Sequence, residues 1–405
     1  MKFKKRGVLT FFLFSYWHEA GWKGFVGATV KIRDMAANLS GLGHEVVLFV
    51  PKCGIDTSRF DFNVVEIPVI DLPGLRMLSF NFFLGFRLLL GGFEARPDVV
   101  YLRRTTTLIP MIYAWFCRAL FFFEVNDDPY YGSDVGKMPL AARIRYFLSV
   151  RIDDWNMKSA ARVFVISSEI IAKIRRKNSG LSPARFVLMQ SGANTRLFTP
   201  GPPEPAREVL GLERKCRYVC FVGSLLSHQG LGTLIEAAPL ILEKRPECRF
   251  LIVGQGPEKK RWEDMAVFLG ISQKFVFTGQ VSYEQVPYWI RAAAFCVVPY
   301  LPDAGFRSPV KIFDYLACGR PVVASDVPGT TGVFKDLEAV VLVPPGNPGR
   351  FAEAVISLLD DPDLCIRLGI SGRFWVCRNF SRHKAADLVA RCARELKSGR
   401  GRMRS

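Results

Sequence analysis

Short apolar runs alternating with stretches of helical periodicity recur along the whole chain and leave it few possible folds. Runs of Val, Ile, Leu and Phe without polar alternation are buried on both faces, as the strands of parallel sheets are. In the first half they fall at 8–15, 45–50, 64–67, 99–102, 121–125, 163–166 and 186–189. The segment 28–42 carries Ile32, Met35, Ala36 and Leu39 on one side and stops at Gly43. That spacing predicts a helix crossing from one parallel strand to the next.

At Pro200, Pro202, Pro203 and Pro205 the alternation breaks. Proline at this density disfavours both helix and central strand, so 197–214 reads as an interdomain linker. A second alternation follows, with runs at 218–222, 250–253, 275–278, 295–298, 321–324 and 340–343. A chain of 405 residues has room for two cores. The expected architecture is α/β, two Rossmann-like domains whose parallel sheets face an interdomain cleft. The first domain covers 1–196 and the second 215–378. Residues 379–405 form a C-terminal helix, expected to pack back towards the first domain, and a basic tail.

The net charge of +18 lies mostly in 1–199 and 391–405. Basic faces attract phosphates, and no nucleic-acid-binding motif is present, so nucleotides and anionic lipid are the expected partners rather than nucleic acid. With 33 Phe, the basic N-terminal half suits an anionic membrane surface, and 80–93 is the candidate amphipathic contact. The apolar stretches 80–93 and 107–125 are interrupted by Arg87 and Arg118, so any membrane contact is expected to be peripheral. Residues 1–14 imitate a signal peptide but pass straight into a Gly-rich turn and a helix, as a first buried strand does. Ten Cys without a C-x-x-C pair, and only four His, suit a reduced cytoplasmic interior without a structural metal.

The candidate chemistry sits where runs end. Gly24 and Gly27 lie in the loop after the first run, placed to admit a phosphate towards a helix N-terminus, though not in dinucleotide spacing. In the second half Gly223-Ser224 and Gln229-Gly230, then Gly254-x-Gly256, then Gly279-x-Val281, leave three successive runs. Ser308 is the expected N-cap of a short helix, Pro309 its first residue and Gly319 its stop. Lys311 then falls in the first turn, where the helix dipole disfavours a cation unless an anion sits opposite. A phosphate resolves that conflict, with Asp314 on the same face available to a ribose. A plain surface Lys–Asp pair is the alternative.

Across nearly its whole length the chain resembles the GT4 family of GT-B glycosyltransferases. The resemblance rests on Arg33 and Gly43-His44-Glu45-Val46 in the first half, and on the glycine turns just named. Its strongest stretch is Ser308-Pro309-x-Lys311-x-x-Asp314-Tyr315-x-Ala317-x-Gly319-x-Pro321, and Val343-Pro344-Pro345-Gly346-Asn347 closes it. The resemblance implies a retaining transferase that needs no metal or other cofactor. It would move a hexose from a nucleotide-diphospho-sugar to a glycan or lipid-linked acceptor, in cell-envelope polysaccharide or glycolipid synthesis. The implied donor set is Gly24, Gly27, Gly223, Ser224, Gln229, Gly256, Val281, Arg307, Ser308, Lys311 and Asp314, with Asp314 on the ribose.

Four positions depart from the family pattern. Ser224 and Gln229 stand where an Arg and a Lys usually hold the diphosphate, Phe306 replaces the first acid, and Asn126 replaces a His. Arg307 and Lys311 are the expected replacements for the lost cations, while Asp303 is out of register for the lost acid. Asp127 is expected either to contact the acceptor hydroxyl or donor sugar, or to cap the segment after it. The catalytic candidates are thus Asp127, Asn126 and Lys311. A regulatory subunit with weakened catalysis and a nucleotide-sugar epimerase are the competing readings.

Overall fold

The computed structural model describes residues 7–16, 27–52, 54, 60–72, 74–93, 95–130, 138–302 and 309–402. The chain forms two compact units, one of residues 1–191 and 382–405, the other of residues 192–381.

The first unit begins β1 (Thr10–Phe14), α1 (Gly27–Gly41), β2 (Glu45–Pro51), β3 (Asn63–Ile67) and α2 (Arg76–Leu90). It continues β4 (Val99–Arg103), α3 (Ile109–Phe116), β5 (Leu120–Val125), α4 (Leu140–Ser159), β6 (Arg162–Val165), α5 (Ser168–Lys177) and β7 (Phe186–Leu188). The second unit runs α6 (Pro203–Val209), β8 (Arg217–Val222), α7 (Leu231–Lys244), β9 (Cys248–Val253), α8 (Lys259–Phe268), β10 (Phe275–Gly279) and α9 (Val286–Ala292). Then come β11 (Phe295–Val298), α10 (Val310–Ala317), β12 (Val322–Ser325), α11 (Pro328–Phe334), β13 (Val340–Val343), α12 (Pro348–Asp360) and α13 (Pro362–Asn379). The last helix, α14 (Arg382–Arg402), belongs to the first unit.

The first sheet has the order β3-β2-β1-β4-β5-β6-β7, and every strand pair is parallel. Strand β1 is central and fully buried, so the basic and apolar opening of the chain leads into the sheet core. Its side chains alternate between two cores: Phe11 and Leu13 face one, Phe12 and Phe14 the other. Right-handed crossovers place a helix by the direction in which the sheet is extended. Helix α1 therefore lies on the Phe11 side, joined by α14 through Ala386, Val389 and Ala390. Helices α2 to α5 line the Phe12 side through Phe80, Ala114, Met157 and Ile170. A buried ion pair between Arg382 and Asp34 ties α14 to α1. The predicted face of α1 is the observed one, with Ile32, Met35, Ala36 and Leu39 all buried.

The second sheet has the order β10-β9-β8-β11-β12-β13, again all parallel. In both sheets the order reverses beside the first strand, between β1 and β4 and between β8 and β11. Loops leave such a switch point in opposite directions and open a crevice at the carboxyl ends of the strands.

Three expectations need correction. The proline-rich segment is not an extended linker: 192–214 belongs to the second unit and contains α6. Pro202 is its N-cap, so Pro203 and Pro205 fall in the first turn, where the missing N–H groups have no helical acceptor to lose. Arg207 of α6 is buried, donates from Nε to the Ala292 carbonyl and lies over the Tyr218 ring. At α10 the helix starts one residue later than expected, with Pro309 as N-cap and no side-chain cap, while Ser308 lies outside the described residues. Helix α2 is not amphipathic. Phe80, Leu84 and Leu88 face the core, yet Leu78, Phe82, Phe86, Leu89 and Leu90 on the outer side are also apolar.

Candidate functional site

In the second unit the loops leaving β8, β9 and β10 are tied together by backbone hydrogen bonds. The Gly223 N–H donates to the Val253 carbonyl at 2.9 Å, Gly254 N–H to Gly279 at 2.9 Å, and Leu225 N–H to Gln255 at 3.0 Å. This packing admits no side chain at Gly256, where a Cβ would lie 2.3 Å from the Leu225 carbonyl oxygen. The glycines thus let the loops after β8, β9 and β10 pack closely on one side of the switch point.

Helix α10 enters this floor from the far side of the switch point. Its Tyr315 hydroxyl accepts from the Val222 N–H at 2.7 Å and donates to the Val222 carbonyl at 3.2 Å, fixing the helix under the end of β8. One turn earlier, the Lys311 ammonium donates to the Gln229 side-chain oxygen. It also sits 4.1 Å from the centre of the Phe221 ring and 5.5 Å from that of Tyr300. A Cβ on Gly223 would lie 2.6 Å from Nζ, so the ammonium rests against the glycine itself.

The residue keeps partial solvent access, but its ammonium lies deep among protein atoms, and burial lowers its pKa to about 7. No acidic side chain among the described residues offsets that cost. The helix dipole disfavours a cation at the first turn, and burial disfavours its charged form, unless an anion sits opposite.

Lys311 of α10 thus meets both Gly223 and Gln229 of the segment after β8, and Gly256 shapes the loop beside them. Ser224 is exposed at the same strand end, Val281 is half-buried beyond β10, and Asp314 is half-buried one turn along α10. The alternative of a simple Lys311–Asp314 surface pair is not what forms, because the ammonium is turned to Gln229. Arg307, Asp303 and Phe306 lie outside the described residues. The Phe221 and Tyr300 rings and the Tyr315 tie were not read from the sequence. Phe221 has the pattern of an ordinary core strand residue, and nothing local marks its ring as the neighbour of Lys311.

The first unit gathers charge at the carboxyl ends of β4 and β5. Lys31 of α1 bridges Glu124, 2.7 Å from its carboxylate, and donates to the Asn126 side-chain oxygen at 3.0 Å. Tyr101 donates to the other Glu124 oxygen at 2.9 Å. Burial pulls the Lys31 pKa down, against the upward pull of Glu124. For Glu124 burial acts upward, but the Lys31 and Arg103 charges outweigh it and the net shift is down. Both stay charged by holding each other.

Asn126 is thus fixed, whereas Asp127 is exposed and paired with Arg104. Arg104 also bonds buried Asp153, whose pKa is raised to about 6 by burial despite that arginine. Among the described residues it is Asp128, not Asp127, that accepts from the Tyr130 N–H, at 2.9 Å. Gly27 opens α1, and Gly24 lies outside the described residues. Sequence reasoning missed Lys31 and Arg104, whose partners lie far along the chain.

Two Rossmann-like parallel-sheet units of this topology, each with a switch point, define the GT-B class. Residues 26–192 match the "Glycosyl transferase 4-like domain" profile and residues 216–361 the "Glycosyl transferases group 1" profile, together well over half of the chain. The chain belongs to the group 1, GT4-type glycosyltransferase family. Among curated proteins it is similar to the alpha-D-kanosaminyltransferase of Streptomyces kanamyceticus, 28% identical over 244 residues, which are 59% of this chain and 62% of that protein. The chain spans less than two thirds of the length of the curated relatives it first matches.

Among solved structures, sucrose-phosphate synthase from Thermosynechococcus elongatus has a TM-score of 0.76 at 21% identity, covering 96% of this chain and 100% of that one. Anabaena Alr3699/HepE in complex with UDP-glucose has a TM-score of 0.71 at 16% identity, covering 96% and 100%. At these identities the two structures establish the fold.

Proposed function

We propose that the chain is a retaining glycosyltransferase that moves a hexose from a nucleotide-diphospho-sugar to a glycan or lipid-linked acceptor. Its place would be cell-envelope polysaccharide or glycolipid synthesis, peripherally on the inner face of the cell membrane. The observation that carries this reading is the Lys311 ammonium, set at the first turn of α10 against Gly223, buried and with no acidic partner among the described residues.

A diphosphate placed there gains a charge-assisted bond from Lys311 and the peptide dipoles of α10. Holding the leaving diphosphate stabilises the charge that develops as the glycosidic bond to it breaks. The Ser224 and Gln229 departures fit this reading: Gln229 no longer supplies a cation but accepts from Lys311 and aims it. On this reading the step needs no metal ion, and retention follows the family resemblance of the 308–321 stretch. In the first unit Asn126, held by Lys31, and exposed Asp127 are the groups offered to the acceptor side.

The test is a donor panel of UDP-, GDP- and ADP-hexoses incubated with the protein and a lipid-extract acceptor, read by release of free nucleoside diphosphate and by the anomeric configuration of the product. Release from one donor with retained configuration is expected. Recovery of an isomerised nucleotide sugar with no free nucleotide would instead make the protein an epimerase.

A further inference from the structure

The helical layer over the Phe12 side of the first sheet ends in an outer surface of unusual chemistry. On α2 the outward residues Leu78, Phe82, Phe86 and Leu89 recur at helical spacing, and Leu89 is 87% exposed. On α3, Trp115 and Phe116 are 82% and 78% exposed, with Ile112 beside them. On α4, Leu140, Ile144, Phe147, Leu148 and Trp155 form a third exposed stripe. The three helices share one layer and meet at one loop: Asn81 of α2 donates to the Thr106 carbonyl and Asn156 of α4 to that of Thr107. Apolar surface of this extent is far more than scattered side chains leave on a globular domain.

The charges choose the occupant. Neither α2 nor α3 contains an acidic residue. The two acids of α4 turn inward, Asp153 to Arg104 and Asp154 to the Tyr130 hydroxyl. Outward charge comes instead from Arg118, Arg143, Arg145, Arg151 and Lys158, all exposed. A second copy seated by two-fold symmetry would bring this basic surface against itself, which is repulsive. An anionic lipid surface offers both complements at once, phosphates for the arginines and hydrocarbon for the Phe, Leu and Trp side chains.

A groove of about 640 Å³ opens beside α3, and Ile112 and Trp115 belong to both the groove and the exposed face. Its walls include Phe121 and Leu396, with the Arg162 and Arg185 side chains as its charged lining. Its apolar walls and its two arginines suit an alkyl chain and a phosphate headgroup.

We propose that the outward face of α2, α3 and α4 docks on an anionic bilayer, and that the groove beside α3 takes up an acyl chain of one of its lipids. This deepens the peripheral-membrane part of the proposed function and rests on it. Docking through this face would bring the first unit, where the acceptor is proposed to bind, to the bilayer that holds lipid-linked acceptors.

The experiment is flotation of the full chain with vesicles of phosphatidylcholine alone or with 30% phosphatidylglycerol. It is paired with quenching of tryptophan emission by phosphatidylglycerol brominated along its acyl chains. Binding is expected only to the anionic vesicles. The Phe82→Ser/Phe86→Ser double variant and Trp115→Phe/Phe116→Ser should each weaken it at least tenfold. Part of the quenching should vanish in the single variant Trp115→Phe.

Nucleotide binding, measured in parallel, should match wild type in every variant and so shows that each is folded. Vesicle binding that these variants leave unchanged would overturn the docking face while sparing the peripheral reading. No vesicle binding at all would overturn both, and Trp115 quenching no different from background would overturn the groove. A lipid-free dimer that the same variants dissociate would assign the face to a second copy instead.

Discussion

Lys311 and Gly223 touch across the end of β8: the ammonium occupies the space that any side chain at 223 would need, with a Cβ only 2.6 Å from Nζ. The strand end and the helix N-terminus are therefore a single device for placing one cation. Gly223→Ala should push the lysine off Gln229 and out from between the Phe221 and Tyr300 rings. The clashing atom is the free end of a long side chain, so the fold should tolerate the change better than the site does. Calorimetry should show nucleoside diphosphate binding weakened at least fivefold, with the melting temperature lowered by only a few degrees.

The pH dependence of binding carries the clearest signature of that burial. With its pKa lowered from 10.5 to about 7, Lys311 is mostly neutral at pH 9 in the free protein. A bound diphosphate favours the charged form, so binding takes up a proton. Affinity should then fall by up to about tenfold per pH unit above 7, until the raised pKa of the complex is passed. In the free protein the sign is opposite. Between pH 7 and 10.5 the unfolded chain binds the extra proton, so stability rises with pH over that window, and below 7 the full cost of the buried charge is present. Lys311→Met should flatten both dependences, which titration calorimetry and thermal melting across pH 6 to 10 would read.

Strand positions were legible because a parallel sheet buries both faces of its inner strands, so the strands among the described residues announce themselves as apolar runs without any knowledge of partners. The glycine turns and Lys311 were legible for a related reason, since close backbone approach and a cation at a helix start break local rules. What stayed hidden depends on distance along the chain. Lys31 reads as a polar residue on α1, and only the folded sheet brings it to Glu124 and Asn126. The prolines at 200–205 were misread because their density suggested a break, whereas a helix accepts proline throughout its first turn. The 80–93 stretch reads as amphipathic in the sequence, but α2 is apolar on both sides, and periodicity marks a face only where the two sides differ.

The Lys31–Glu124 pair should act as a structural clamp at the end of β5. Its side chains are 13% and 3% exposed, so removing one charge leaves the other buried. Glu124→Gln should cost about 3–5 kcal/mol in urea unfolding. The double variant Lys31→Met/Glu124→Gln should recover much of that loss, because no unpaired charge remains. If the single variant unfolds like wild type, the pair contributes nothing and Asn126 is held by other means.

Asp127 separates a positioning role from a structural one. It is exposed and bonded only to Arg104 among the described contacts, so Asp127→Asn should leave the unfolding midpoint within about 0.5 kcal/mol of wild type. If the carboxylate meets the acceptor or the donor sugar, the same variant should lower kcat/KM at least tenfold in a transfer assay. Unchanged kinetics would remove Asp127 from the site.

The central claim is that Lys311 receives the diphosphate of a nucleotide-sugar donor. Titration calorimetry of UDP, GDP and ADP into wild-type protein and Lys311→Ala at pH 7 tests it most directly. The account expects one nucleotide to bind clearly and the variant to weaken it at least tenfold, with thermal melting showing both proteins folded. Equal binding to wild type and variant would contradict it, as would the absence of binding by all three nucleotides at millimolar concentration.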